Sequence, residues 1–169
     1  MIVADAAPVI AFARLGRLAL LQHIVEELVV PDAVYDDLVV KGRGKPGAAE
    51  VAESTWIRRE SIRNREATAH FPPVLGVGEC EAIVLAAEHH ATLLTDDHRA
   101  RETAEELGLE VVGVLWVLSE AKRRGFVPEV RPIVDALLAL GYRLHPDRVV
   151  RPFLEAMDEA SPNATSNQP

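Results

Sequence analysis

The apolar residues of this chain gather in short, unbroken runs. Met1 to Ala4, Leu28 to Val30, Leu93–Leu94 and Glu110 to Val112 each span only a few residues, and Thr55 to Arg59 also reads as a strand, one that touches the core through Trp56 and Ile57. A strand with one wet face alternates apolar and polar side chains. A strand buried on both faces does not, and these runs are of the second kind. Stretches with helical spacing and helix punctuation lie between them. Pro8 opens one, Gly16 interrupts it, and Leu18, Leu20, Leu21 and Ile24 continue at helical intervals. Strand, helix, strand, helix in this order predicts an α/β fold, a three-layer α/β/α arrangement around a central parallel sheet.

The remaining helices are read from caps and stops. They are expected over Asp32 to about Val40, Ala48 to Glu53, a segment headed by Glu79, His98 to Leu107 before Gly108, Val114 to Arg124 before Gly125, and Pro128 to Leu140 before Gly141. A last amphipathic helix is expected from Asp147 to Ala160, with Ser161 to Pro169 a polar, disordered tail. The predicted organisation is one main domain over residues 1–144, a C-terminal helical segment over 145–160 and the tail over 161–169. Internal repeats are not evident.

Of 169 residues, 49% are hydrophobic and 5% aromatic, which suits an interior of Ala, Val and Leu. The formal net charge of −8 argues against a protein that coats nucleic acid through a basic surface. It does not argue against an acidic metal site, where a bound cation reverses the local field. The single Cys80 cannot form an internal disulfide and reads as a buried structural residue; this suits a reducing compartment. No apolar run is long enough for a membrane span, and Met-Ile-Val-Ala-Asp lacks the charged leader of a secretory signal. A cytoplasmic location is expected.

The chemistry concentrates between Gly76 and Arg101. Asp96 and Asp97 follow the buried Leu93–Leu94 run after a single Thr95. Two carboxylates about 5 Å apart repel by roughly 3 kcal/mol at an effective dielectric near 20. A chain that keeps them together has use for a cation there. On a helical wheel, Glu79 shares its side with Ala82, Ile83 and Ala86, whereas Glu81 and Glu88 fall on the far side. Glu79 is expected to point inward and Glu81 to face water. On the helix after Asp32, Asp37 shares a side with Val34 and Ala33, while Asp36 does not. In open parallel sheets, ligands bind at the carboxyl ends of strands. Asp5 ends the first strand and Asp96–Asp97 the fourth, so their acids converge if those strands are neighbours.

Four pieces, in order, resemble a PIN domain of the toxin-like prokaryotic branch that includes the VapC ribonucleases. They are Ile2-Val-Ala-Asp5, Val30-Pro-Asp-Ala-Val-Tyr-Asp-Asp37-Leu, Gly78-Glu79 with Ala82-Ile83, and Leu94-Thr-Asp-Asp97. The segment from Arg123 to Pro128 and the helix after it resemble one subgroup of PIN-like proteins. The resemblance spans roughly residues 1–144. It implies a metal-dependent ribonuclease with Asp5, Asp37, Glu79 and Asp97 as the catalytic acids. Asp5, Glu79, Asp96 and Asp97 would be the ligands of Mg²⁺ or Mn²⁺. It further implies RNA as substrate, a small antitoxin protein as partner and a homodimer. Thr95 is a candidate for hydrogen bonding within the site, and Arg99 or Arg101 for contacting phosphate. His89, His90 and His98 read as helix-end and surface residues.

Two positions depart from the family pattern. Ala6 follows Asp5 where a small hydroxyl residue is usual, and Asp37 stands where Glu is usual. A second reading is therefore a catalytically weakened PIN-like binding or scaffold module. A receiver domain or an Asp-x-Asp phosphatase fits poorly, because their acids belong after the first strand, where this chain has Asp5-Ala-Ala. The arginines at 58, 59, 63 and 65 form the densest basic cluster and read chiefly as solvated surface.

Overall fold

A computed structural model describes residues 1–159. Five strands form one wholly parallel sheet: β1 (Ile2–Ala4), β2 (Leu28–Pro31), β3 (Ile57–Glu60), β4 (Thr92–Leu94) and β5 (Val111–Val112). Their order across the sheet is β3-β2-β1-β4-β5. β1 and β2 are buried along their whole length, as unbroken apolar runs in a doubly covered sheet should be. The fold is the three-layer α/β/α arrangement that the sequence predicts. The chain runs from β1 outward to β2 and β3, then returns across β1 to β4. The reversal therefore lies between β1 and β4, the place where open α/β sheets make their crevice.

Six helices accompany the sheet: α1 (Ala6–Arg14), α2 (Leu18–Val25), α3 (Asp32–Tyr35), α4 (Ala48–Glu53), α5 (Val77–His89) and α6 (His98–Glu106). A wider π turn over Asp36–Val40 continues α3, and a 3₁₀ turn over Arg65–His70 precedes α5. The expected start of α1 at Pro8 is corrected to Ala6. The Asp5 carboxylate accepts the Ala6 N–H at 2.6 Å and caps the helix there, while Pro8 sits within a first turn that needs no backbone donor. Val3, Ile83, Leu85 and Leu93 are fully enclosed members of the apolar cluster around β1, β4 and α5.

The chain groups into two compact units, Met1–Val117 and the part from Leu118 onward. The boundary falls inside α7 (Val114–Arg123), and the second unit adds α8 (Arg131–Ala139) and α9 (Arg151–Ala156). α8 begins three residues after Pro128, where a start was expected. The Glu159 carboxylate accepts the N–H groups of Val130 (2.9 Å) and Arg131 (2.6 Å), which fixes the helix start. The same carboxylate holds Lys122 at 2.6 Å. In this unit the last expected helix runs as a π turn over Pro146–Val150 followed by α9. The helix ends at Ala156, short of the expected Ala160, and Asp158 takes a left-handed backbone (φ 58°) that stops it; the tail expected at 161–169 lies outside the described residues. Among the described residues, no helix is long and apolar enough to cross a membrane.

Candidate metal centre

Asp5 occupies the first position beyond β1, and its backbone N–H still belongs to the sheet, donating to Leu94 O at 3.1 Å. β4 pairs with β1 in the register Ala4 opposite Leu94, so Asp5 and Thr95 leave the sheet side by side. Thr95 is completely buried. Its hydroxyl donates to Asp5 Oδ2 at 3.4 Å and accepts the Asp97 N–H at 3.2 Å. One hydroxyl thus links the acid after β1 to the acid after β4. Asp97 in turn caps α6, accepting the Ala100 N–H at 2.9 Å.

The electrostatics of Asp5 are unfavourable to its charge. It is 7% exposed, and burial pushes its carboxyl up from 3.8 to about 6. Glu79 and Asp97 push in the same direction through like-charge repulsion, while the bonds from Ala6 and Thr95 pull it back. Carboxylates from the first turn of α5 and from the end of β4 therefore both act on the buried Asp5. Glu79 is half-buried on the first turn of α5, and its carboxylate accepts the Gly76 N–H at the helix mouth.

The other expected site residues are placed differently. Asp96, expected among the metal ligands, turns toward β5: its Oδ2 accepts the Val114 N–H at 3.0 Å. Gly113 makes room for it, since a Cβ there would lie 2.2 Å from Asp96 Oδ1. Asp37 holds Lys41 at 2.6 Å. Its Oδ2 would lie 3.6 Å from a Cβ at Gly78, which sets it beside the residue that precedes Glu79. Arg101 does not project as a surface arginine. It donates to Val111 O at 3.0 Å and Thr95 O at 3.2 Å, bracing the ends of β4 and β5. Arg99 and His98 are exposed.

Glu81 corrects the expectation that it faces water: its Oε2 accepts the Ala33 N–H at 2.9 Å and anchors the start of α3. Glu88 does the same for the Arg63 and Asn64 N–H groups at 2.9 and 2.8 Å. Sequence reasoning names Arg101 and Glu81 but misses their supporting roles. Their partners lie 10 and 48 positions away, and only the fold brings them close.

The donor set of Asp5, Glu79 and Asp97 consists of hard carboxylate oxygens, and the mutual repulsion at Asp5 is what a divalent cation would relieve. As the side chains stand, no three His, Cys, Asp or Glu groups among the described residues close around a single point. Glu79 and Asp97 each spend a carboxylate oxygen on a helix-end N–H.

A family model described as a PIN domain (DUF3368) matches residues 1–159. Among solved structures, a PilT N-terminus domain protein from the hyperthermophilic archaeon Sulfolobus solfataricus P2 is similar at a TM-score of 0.49 and 18% identity. The match covers 72% of this chain and 93% of that one. No curated protein matches the sequence.

Proposed function

The chain belongs to the PIN-domain family, whose members are generally metal-dependent nucleases, and on that premise we propose that it is a ribonuclease working through Mg²⁺ or Mn²⁺. The observation that carries this reading is Asp5, a buried carboxylate at the sheet's reversal point whose strongest charged neighbours are the carboxylates of Glu79 and Asp97. These three would hold the cation. Once bound, it supplies Lewis-acid polarisation of the scissile phosphate and a water of lowered pKa.

The chain's own residues do the rest. The Thr95 hydroxyl, linked to Asp5 and to the Asp97 backbone, sets the spacing between the two strand ends. It contributes a buried hydroxyl to a site in which Ala6 brings none. Arg101 fixes the Thr95 carbonyl and with it the β4 end. Asp37 stands beside Gly78 at the start of α5 and would lend a fourth acid to the RNA-facing surface.

We further propose a toxin or toxin-like role in the cytoplasm, paired with a small antitoxin, with a homodimer as the working form. Co-purification of an encoded partner and a mass measurement in solution test these points. A catalytically weakened binding module is the second reading; it is favoured by the engagement of Glu79 with Gly76 rather than with its fellow acids. The deciding experiment is cleavage of a mixed RNA pool during Mg²⁺ and Mn²⁺ titration, wild type beside Asp97→Asn. Metal-dependent cleavage absent from the variant supports the nuclease. Metal binding without cleavage of any RNA supports the binding module.

A further inference from the structure

The stretch Lys41-Gly-Arg-Gly-Lys-Pro-Gly47 carries three cations and no acid in a chain of net charge −8. Lys41, Arg43 and Lys45 are all exposed. The stretch closes one side of a cavity of about 360 Å³ between α1, the π turn after α3, and α4. Ile10, Leu38, Ala48 and Val51 supply apolar walls, Arg14 and Lys45 supply positive charge, and Asp37 forms part of the lining. Its size falls in the range of small-ligand sites, about 300–1,000 Å³.

We infer that this cavity is a nucleotide subsite, which takes one unstacked base of single-stranded RNA between its apolar walls and the flanking phosphate against Lys45 and Arg14. Three observations carry it. The apolar lining suits the face of a base, which every nucleotide offers. Arg14 and Lys45 place positive charge in the lining itself, within the same cavity as its apolar walls. The lining includes Asp37, and Asp37 Oδ2 would lie 3.6 Å from a Cβ at Gly78, the residue before Glu79, so this acid belongs both to the cavity wall and to the neighbourhood of the acidic site. Only an unpaired strand can splay a base into such a space. This inference rests on the nuclease reading and adds a place for the base to it.

The test separates the two. Binding of a 5′-labelled single-stranded octaribonucleotide is measured by fluorescence anisotropy with Ca²⁺ in place of Mg²⁺, for wild type, Ala48→Phe and Lys45→Glu. Ala48→Phe fills the cavity and Lys45→Glu reverses its rim; circular dichroism checks folding. If Ala48→Phe fails to fold, the exposed Lys45→Glu decides. The expected result is a loss of affinity of about tenfold or more in each variant. In Mn²⁺, both variants should still cleave RNA, with a raised KM.

Affinity and KM unchanged in both variants overturn the subsite and leave the nuclease standing. Absence of RNA binding by wild type also overturns it. Weakened binding in the variants of a protein that never cleaves RNA upholds the subsite and removes the nuclease. Unchanged RNA binding with loss of a co-purifying protein assigns the cavity to a protein partner and overturns the inference.

Discussion

Two pairs of neighbouring strands end in acids, and the acids meet different fates. Beyond β2, Asp32 accepts from Arg59 and from Ser61, each at 2.5 Å. Those two bonds hold its carboxyl below the usual range. Arg59 also lies over the Tyr35 ring, 4.9 Å from its centroid. At the end of β3, Glu60 is held by His89 at 2.7 Å and Arg58 at 2.6 Å, and it too is lowered, chiefly by the His89 bond. Beyond β1 and β4, the buried Asp5 meets Glu79 and Asp97, and its carboxyl is raised. The residue types are the same. What differs is whether the fold brings a cation to the acid or another acid. The first arrangement is neutralised within the chain; the second leaves a buried carboxylate facing like charges, which on the proposed reading a cation would relieve.

This contrast can be broken by substitution. Asp97→Asn should reduce metal-dependent RNA cleavage at least about a hundredfold, since even supporting residues of metal sites cost 10–100-fold; wild-type turnover in the variant would remove Asp97 from the site.

Asp5→Asn sharpens the contrast on the side of stability. The folded-state pKa of Asp5, about 6, lies above its ordinary 3.8. The folded protein therefore binds this proton more tightly than the unfolded chain. The resulting stability is complete below 3.8 and is lost as pH rises through 6. At pH 7 the loss amounts to about 3 kcal/mol at most. The Asn variant keeps a cap acceptor for Ala6 and carries no charge. It should melt higher than wild type at pH 7 without metal, gain nothing at pH 4, and show no metal-induced rise. A lower melting temperature at pH 7 would contradict the strain ascribed to Asp5.

Thr95→Val removes the hydroxyl that links Asp5 to Asp97. Activity should fall about tenfold, in proportion to one lost hydrogen bond at a buried site, and Thr95→Ser should restore most of it. Arg59→Gln acts at the satisfied strand ends. It should cost under about 1 kcal/mol in a denaturant titration and leave cleavage unchanged, as expected of a half-exposed ion pair.

Much of this architecture is legible in the residues themselves. The unbroken apolar runs of β1, β2 and β4 announce a buried parallel sheet, and Asp5 and Asp97 follow the two strand ends that the fold sets side by side. The direction of Asp96 is not legible. Two adjacent carboxylates look alike in sequence, and the Val114 N–H that claims Asp96 lies 18 positions further on. The helical wheel gives the direction of Glu81 correctly as away from the side of Glu79. It cannot reveal that the start of α3 waits there for an acceptor. Pro128 marks a helix boundary in the sequence, yet the boundary falls at Arg131, because Glu159 returns to bind the N–H groups at that point. Local signals are read locally; each of these misses turns on a partner distant in the chain.

The junction of β1 and α1 contains no loop at all: Asp5 is at once the residue after the strand and the cap of the helix. An inserted residue here would rotate α1 by about 100° relative to the strand and carry the cap away from Ala6. The stretch from Lys41 to Gly47 is tied at its ends, Lys41 to Asp37 and Gly47 against Ala13, while its exposed middle can absorb changes of length. Variation in length among relatives of this chain should therefore collect around the basic loop and be absent from the turn at Asp5.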